Sequence, residues 1–166
     1  RCFYSTSTPI RSVEDLKGMK IRVQQTEQVI AMIDALGAKA TPMDYAEVFQ
    51  GLQTGIVDAA ENDFVSYYTS GHYEVAKYYT LDQHMAPPAV LLMAKSSWDQ
   101  MSAEQQEAVK KAAYEAAVWQ RQAMQDYQLE SRAACEAAGC EIIEVDVPSF
   151  QAAVTSVYDK YPQYKE

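Results

Sequence analysis

Early in the chain, the sequence alternates twice between a short apolar run and an amphipathic stretch that ends at a glycine. Met19–Val23 has the apolar, β-branched character of a buried strand, and the apolar positions after it recur at helical spacing until Gly37. The same pattern follows at once, with a second helix that ends at Gly55 and a third strand beyond it. Strand–helix–strand–helix–strand with short connections predicts an α/β fold with a mostly parallel sheet. The three predicted strands are 19–23, 38–43 and 56–60.

The second half of the chain follows a different plan. Tyr78–Ala94 is predicted to be mostly extended, and the adjacent Pro87 and Pro88 do not suit a central strand. An Ala-rich stretch of high helix propensity then opens on the capping box Ser102-Ala103-Glu104-Gln105 and runs to about Ala138. A helix of that length exceeds what one small sheet needs, so we expect it to bridge two lobes. A strand and an amphipathic helix are predicted after it, at 140–145 and 150–158.

The charge and the composition exclude several classes of partner. The 166 residues include 14 Lys and Arg against 23 Asp and Glu, a formal net charge of −9. A nucleic-acid-binding domain needs a basic patch and a polybasic membrane anchor needs clustered cations, so neither is predicted. No apolar run reaches the roughly 20 residues that span a bilayer. With 48% hydrophobic residues, the chain is expected to be globular and to bury its own core.

The sequence contains no recognisable catalytic or metal-binding motif. Its six glycines form no dinucleotide-binding or phosphate-binding loop, and it has neither a nucleophile elbow nor a zinc-binding HExxH. Cys2, Cys135 and Cys140 lack the spacing of a metal site. We expect all three to be free, with Cys135–Cys140 as the most plausible bridge if one forms. The sequence therefore predicts no cofactor, no metal site and no enzymatic activity.

Arg22 is the most informative single residue because it lies inside a predicted buried strand. An unpaired buried charge is very costly, so Arg22 needs either an internal Asp or Glu or the carboxylate of a ligand. Planar Arg suits the second role because it binds carboxylates in a bidentate manner. Asn62 and Tyr45 also follow predicted strands, where ligands bind in parallel α/β sheets. Asn62 equally suits a turn or cap, and Tyr45 equally suits simple packing.

These residues belong to three linked motifs that resemble the solute-binding proteins of TRAP (tripartite ATP-independent periplasmic) transporters. The motifs follow in the order and spacing of that family, and two later stretches, 76–84 and 95–99, extend the resemblance nearly end to end. The three motifs are DLKGMKIRV at 15–23, PMDYAEVF at 42–49 and LQTGIVDAAEN at 52–62.

The resemblance implies a two-lobed, periplasmic-binding-protein-like receptor that closes on an organic acid and delivers it to a membrane permease. In that pattern Arg22 pairs with the substrate carboxylate, Asn62 hydrogen-bonds the ligand and Tyr45 packs against it. Arg1 corresponds to a second arginine of some members. The resemblance implies a periplasmic location and no covalent chemistry. A metal ion bridges ligand and protein in some members, and the sequence leaves that point open.

Asp63 and His84 complete the predicted ligand-binding set. Many members follow the Glu-Asn pair with Pro or Asn, whereas Asp63 follows here and implies a different pocket rim. The sequence from Asn62 through His72 to His84 is most similar to members associated with sugar acids such as hexuronates. His84 is thus a candidate to lie near a ligand hydroxyl, or else a hydrogen-bonded hinge residue. A sugar acid is favoured over a C4-dicarboxylate or a hydroxy or keto acid.

The resemblance also divides the chain into segments. It implies a second-lobe α/β core at 1–80, an interlobe strand and hinge at 81–101, a long spanning helix at 102–139 and a carboxyl-terminal strand and helix at 140–166. Members have a signal peptide and a first lobe ahead of this region, so we expect the chain to be the carboxyl-terminal portion of a receptor. Surfaces that lack their usual partner are then expected to expose apolar area and to favour self-association.

Two other functional classes remain open at this stage. An enzyme could use Arg22 as an electrostatic stabiliser and His84 as an acid–base group, and turnover of an organic acid would favour it. A purely structural or interaction domain would not bind an organic acid, so Arg22→Ala would have no binding to abolish. The predicted partners are a carboxylate ligand and the permease subunits of a TRAP transporter, with no nucleic acid.

Overall fold

The computed structural model describes residues 1–162, which divide into two compact units. The first unit comprises Arg1–Ala86 and the residues from Ser131 onward, and the second comprises Pro87–Glu130. The strands are β1 (Cys2–Ser5), β2 (Lys20–Val23), β3 (Lys39–Pro42), β4 (Ala59–Asn62), β5 (Tyr78–Thr80) and β6 (Glu141–Ile143). The helices are α1 (Glu27–Ala35), α2 (Val48–Thr54), α3 (Phe64–Thr69), α4 (His72–Val75), α5 (Lys95–Asp99), α6 (Ala103–Ala137), α7 (Val147–Ala153) and α8 (Thr155–Lys160). Short 3₁₀ turns form at Val13–Leu16 and Tyr45–Glu47.

The first unit contains a mixed six-stranded sheet in the order β3-β2-β4-β1-β5-β6. Strand β2 pairs in parallel with β3 and β4, so the three predicted parallel strands are confirmed. Strand β1 runs antiparallel to both of its neighbours, β4 and β5. Because β1 is reversed, its amino end meets the carboxyl ends of the strands beside it, and Cys2 lies opposite Asn62. One edge of the sheet therefore collects the ends of β2, β3, β4 and β5 and the start of β1. It is called here the ligand edge because the predicted ligand-binding residues Arg22 and Asn62 lie along it.

Strand β4 begins later than the sequence predicts. The backbone just before the strand belongs to the connection from α2, where the Val57 amide donates to the Gly51 carbonyl at 3.2 Å. The strand then starts at Ala59 and continues to Asn62, with all four residues buried. This shift places Glu61 and Asn62 inside the strand, at the ligand edge.

Side chains pack on both faces of the sheet in two separate clusters. Phe3 and Tyr4 show the alternation of a strand, because Phe3 belongs to one cluster and Tyr4 to the other. The Phe3 cluster is largely aliphatic and includes Ile21, Val23, Ile33 and Leu36, whereas the Tyr4 cluster includes Val48, Leu52, Tyr67 and Tyr79. Burial of one such side chain contributes roughly 1.5–3 kcal/mol. The three cysteines are buried and free, as expected.

The second unit consists of the segment 87–94, α5 and most of α6. The predicted capping box is present, because the Ser102 amide donates to Gln105 Oε1 at 2.9 Å and the Gln105 amide donates to Ser102 Oγ at 3.2 Å. The extended segment predicted over 78–94 forms a strand only at β5, and residues 81–94 have no strand pairing. Pro87 and Pro88 lack the N–H groups that a ladder needs.

Several large apolar side chains of the second unit are exposed. Leu91 and Leu92 are each 82% exposed and Trp119 is 72% exposed. Exposed apolar area was expected from the resemblance. Among residues 1–162, no helix combines the length and the apolar character needed to cross a membrane.

The predicted helix at 150–158 is instead two short helices, α7 and α8, separated at Val154. The Thr155 hydroxyl donates to the Ala152 carbonyl at 2.9 Å. Such side-chain bonds to the backbone compete with helix continuation and account for the break.

Candidate functional site

Arg22 lies in β2, one residue before the strand ends at the ligand edge. Arg22 is only 4% exposed. Both Nε and Nη2 donate to one acceptor, the carbonyl oxygen of Met43, at 3.0 and 2.8 Å. Met43 directly follows β3, the parallel neighbour of β2, so strand pairing brings this carbonyl to the guanidinium. The nearest partner of this buried cation is therefore neutral.

No Asp or Glu within the described part of the chain forms an ion pair with Arg22. The structural salt bridge that sequence reasoning left open is absent there. Arg22 instead lines an open depression of about 370 Å³. Asp44 and Glu47 line the same depression, but both are exposed, so solvent and salt screen their charges. The arrangement leaves a buried positive group facing a space that a small anion can enter.

Tyr45 forms one wall of the depression. It is 44% exposed, and its ring centroid lies 5.6 Å from the guanidinium carbon of Arg22, within the range of a cation–π contact. The Tyr45 hydroxyl hydrogen-bonds to the Ser70 hydroxyl, next to the end of α3. The structure thus brings Arg22 and Tyr45 together, as predicted for a shared site.

Asn62 and Asp63 lie at the end of β4. Asn62 is 5% exposed, and its side-chain oxygen accepts from the Asp63 amide at 3.1 Å. Asp63 caps α3, because its carboxylate accepts from the Ser66 amide at 2.9 Å and from the Ser66 hydroxyl at 3.1 Å. Asn62 therefore shares the ligand edge with Arg22, one strand away, while the carboxylate of Asp63 is engaged in holding the helix.

Arg1 precedes β1 at the same edge, two strands from Arg22. Its Nη1 contacts both carboxylate oxygens of Glu61, at 3.0 and 3.2 Å. The Glu61 side chain is 1% exposed and that of Arg1 is 19% exposed. Arg1 is thus a partly exposed cation that already has an internal carboxylate partner.

His84 lies beside Glu61. Its ring stacks on Phe3, Nδ1 lies 2.5 Å from an oxygen of Asp82, and Nε2 lies 3.9 Å from Glu61. Burial alone would lower the pKa of His84, but the hydrogen bond to Asp82 and the nearby negative charges of Asp82 and Glu61 outweigh burial and raise it. This geometry fits a hydrogen-bonded structural histidine, and His84 does not line the depression beside Arg22.

His72 is the second histidine, to which the sequence assigned no role. It begins α4, is 1% exposed, and its Nδ1 lies 2.8 Å from the Tyr4 hydroxyl. Burial lowers the pKa of His72 to about 4, and the positive charge of Arg22 acts in the same direction. The ring is therefore neutral near pH 7.

Sequence reasoning missed several residues of this region. Glu61 carries the same signal as Arg22, a charge inside a buried strand. The predicted strand ends at residue 60, however, and so does not include Glu61. Gln24 and Gln25 also line the depression, and no local pattern marks them. In the portion of the chain that the structure describes, no group of three or more His, Cys, Asp or Glu residues could hold a metal ion.

Known proteins match this chain over its length. The family model for "Bacterial extracellular solute-binding protein, family 7" matches residues 1–165. A "Solute-binding protein" of Chromohalobacter salexigens is 42% identical over 164 residues, which are 98% of this chain and 49% of that protein. The chain spans about half the length of the curated relatives it matches.

Solved structures match equally well. A TRAP periplasmic solute binding protein of Xanthobacter autotrophicus with bound β-D-galacturonate is 47% identical, with a TM-score of 0.93 over 96% of this chain and 53% of that one. One from Chromohalobacter salexigens with bound D-glucuronate is 41% identical, with a TM-score of 0.95 over 98% of this chain and 54% of that one. The fold of this chain is therefore that of about half of such a protein.

Proposed function

The chain belongs to the family of bacterial extracellular solute-binding proteins, family 7, and from that premise we propose that it carries the ligand-anchoring site of a receptor for a hexuronate. The family is extracytoplasmic, and the matched structures are named periplasmic, in agreement with the predicted periplasmic location. The relatives and structural neighbours are solute-binding proteins and not enzymes, so capture without covalent chemistry is the function to test.

One observation carries the proposal, the buried guanidinium of Arg22 with only a neutral partner. Met43 supplies a carbonyl dipole but no negative charge. A carboxylate that enters the depression would complete the charge pairing, and charge-assisted bonds from a planar guanidinium are short and directional. Tyr45 would cover one face of the bound molecule, since an aromatic ring packs well against the apolar face of a sugar.

The spacing of the ligand edge favours a ligand with polar groups along its length. Neighbouring strands lie about 4.8 Å apart, so Arg22 on β2, Asn62 on β4 and Arg1 before β1 are spread over roughly 10 Å. A six-carbon sugar acid has a carboxylate at one end and hydroxyls along the ring. In this arrangement Arg22 binds the carboxylate, while Asn62 and Arg1 are the candidates for hydroxyl contacts. The matched structures hold galacturonate and glucuronate, which support the same class.

The proposed receptor delivers its ligand to the permease subunits of a TRAP transporter. This step rests on family membership, because the relatives are named as TRAP binding proteins. Asp63 and His84 enter the proposal only indirectly, since the Asp63 carboxylate caps α3 and Nδ1 of His84 is bonded to Asp82.

Calorimetric titration of the purified protein tests the ligand class. We expect D-glucuronate and D-galacturonate to bind, and the matched neutral sugars D-glucose and D-galactose to bind at least about 30-fold more weakly, because loss of one partner of a buried charge pair costs about 2–5 kcal/mol. Arg22→Ala should weaken hexuronate binding by a similar factor. Arg11→Ala is the matched control, because Arg11 is exposed and paired with Glu141 away from this edge.

Other outcomes of the same titration would replace the proposal. Tighter binding of succinate or of a hydroxy acid than of hexuronates would assign the alternative ligand classes. Equal binding of glucose and glucuronate would remove the role of Arg22, and chemical conversion of a bound acid would indicate an enzyme.

A further inference from the structure

His72 has no contact with the depression, yet it lies directly behind one of its walls. Its ring centroid is 5.6 Å from that of Tyr45, and the two rings meet edge to face at 62°. On its other side, Nδ1 is hydrogen-bonded to the hydroxyl of Tyr4, which is 1% exposed. His72 therefore connects the buried sheet to the exposed aromatic wall.

Four elements meet in this connection. Tyr4 belongs to β1, His72 begins α4, Tyr45 lies in the turn after β3 and Arg22 belongs to β2. Tyr45 is the only one of the four that is largely exposed, and its 3₁₀ turn has no buried residue of its own. The orientation of its ring over Arg22 thus depends on what lies behind it.

From these contacts we infer that His72 is a positioning residue, which holds the Tyr45 ring over the Arg22 guanidinium and thereby sets how tightly a sugar ring is gripped. The inference rests on the proposed function for its ligand readout. A rigid ring fixed at its rear edge presents its face to the ligand without reorganisation, and preorganisation of this kind raises affinity. The Tyr45–Ser70 hydroxyl bond fixes the far end of the same ring.

The positioning role also requires that the His72 ring be neutral. The groups that face His72 are Tyr4 from β1, Tyr45 from the turn after β3 and Arg22 from β2, and only Arg22 is a cation. Because burial and Arg22 lower the pKa of His72, its ring stays neutral and Arg22 remains the single positive charge behind the wall. A Lys or Arg at position 72 would place a second buried cation beside Arg22.

Two substitutions separate the contacts of His72. His72→Asn keeps a polar atom near the position of Nδ1 for Tyr4 but removes the ring behind Tyr45. His72→Phe keeps a ring behind Tyr45 but leaves the Tyr4 hydroxyl buried without a partner. We expect His72→Asn to weaken hexuronate binding about 10-fold with little change in melting temperature, and His72→Phe to lower the melting temperature by several degrees with affinity within about 3-fold of wild type.

A double-mutant cycle with Tyr45→Leu tests whether the effect passes through Tyr45. In the Tyr45→Leu background, His72→Asn should cause no further loss of affinity, because the ring that it positions is gone. The same 10-fold loss in both backgrounds, or a loss of affinity that follows the melting temperature in both variants, would overturn the inference.

A ligand-free readout separates this inference from the proposed function. Fluorine NMR of a fluorotyrosine at position 45 should show one sharp resonance in the wild type and in His72→Phe, and a shifted or broadened one in His72→Asn. If hexuronates fail to bind but this pattern holds, the proposed function is wrong and the positioning role stands. If the resonance is the same in all three proteins, the positioning role is wrong whatever the ligand.

Discussion

Two arginines share the ligand edge, and their surroundings differ. Arg22 is 4% exposed, and its bonds go to the neutral carbonyl of Met43. Arg1 is more exposed and forms an ion pair with the buried Glu61, and His84 lies between Glu61 and Asp82, 3.9 Å from the first and 2.5 Å from the second. The same residue type is thus neutralised internally at one position and left without a counter-charge at the other. A binding site for an anion differs from a structural ion pair in this missing partner, and the buried position alone does not distinguish the two.

The largest expected contrast is in stability. Arg1→Met leaves Glu61 buried without its cation, and loss of one member of a buried pair costs about 3–5 kcal/mol; we expect about 2–3 kcal/mol here because Arg1 is partly exposed. Arg22→Met leaves no carboxylate behind, so its stability should change by less than about 1 kcal/mol in the absence of ligand. Urea unfolding of both variants measures the difference.

Glu61→Gln provides the control for that contrast. Combined with Arg1→Met it should restore most of the lost stability, because a neutral amide needs no cation. Equal losses in Arg1→Met and Arg22→Met would show that the two arginines are in equivalent surroundings, contrary to the geometry described above.

The next effect is on ligand affinity, given the proposed function. Arg22→Lys keeps the charge but loses the planar fork, so hexuronate binding should weaken by about 10-fold to 30-fold. Arg1→Lys should bind nearly as wild type, because Arg1 reaches both oxygens of Glu61 through Nη1 alone and a point charge can replace that contact. Calorimetry on the two variants would contradict this reading if Arg1→Lys were the weaker binder.

The two histidines should make the free energy of unfolding depend on pH in opposite directions. The pKa of His72 is lowered to about 4, so the unfolded chain takes up the proton first and stability falls as pH drops from about 6.5 towards 4. For His84 burial lowers the pKa but Asp82 and Glu61 raise it overall. The stability that His84 contributes is therefore fully present below about pH 6.5 and is lost as the pH rises through the raised pKa.

Urea unfolding from about pH 4.5 to about pH 8.5 checks these signs. His72→Asn should flatten the acid limb of the wild-type stability curve, and His84→Asn should flatten the limb above neutrality. If His84→Asn changed stability by the same amount at every pH, the raised pKa would have no part in it.

The smallest expected effect concerns Asp63, whose carboxylate caps α3. Asp63→Ala should lower stability by about 1 kcal/mol, and Asp63→Ser should retain most of it because Ser is also a good cap. Neither change should alter hexuronate affinity by more than about 2-fold if the carboxylate serves the helix alone. A larger loss of affinity in both variants would return Asp63 to the predicted ligand-binding set.

Local patterns predicted much of the fold because helical spacing and caps depend on residues that are close together in the sequence. The helical spacing before Gly37 and Gly55 gave α1 and α2, and the capping box at Ser102 marked the start of α6. The prediction was less accurate where individual hydrogen bonds outside the regular elements set the boundaries. The bond from the Val57 amide to Gly51 delays β4, and Thr155 divides the final helix.

For the site, residue type and position were enough to select Arg22, Tyr45 and Asn62, since strand ends of a parallel sheet meet at one edge. The sequence could not separate Arg22 from Arg1, because whether a buried guanidinium faces a carboxylate depends on residues distant in the chain. Glu61 is 60 residues from Arg1. His72 was ambiguous for the same reason, since its contacts with Tyr4 and Tyr45 join three elements that only the folded sheet brings together.

The sequence by itself therefore determined the α/β alternation, the long α6 helix, the family and the strand ends that carry the predicted site residues, because periodicity, caps and motifs are properties of short stretches. Only the tertiary structure decided that β1 runs against its neighbours, that Arg1 is paired with Glu61 and that Arg22 has no such partner. Pairing of charges across a sheet is a matter of register and burial, and those arise when distant strands meet.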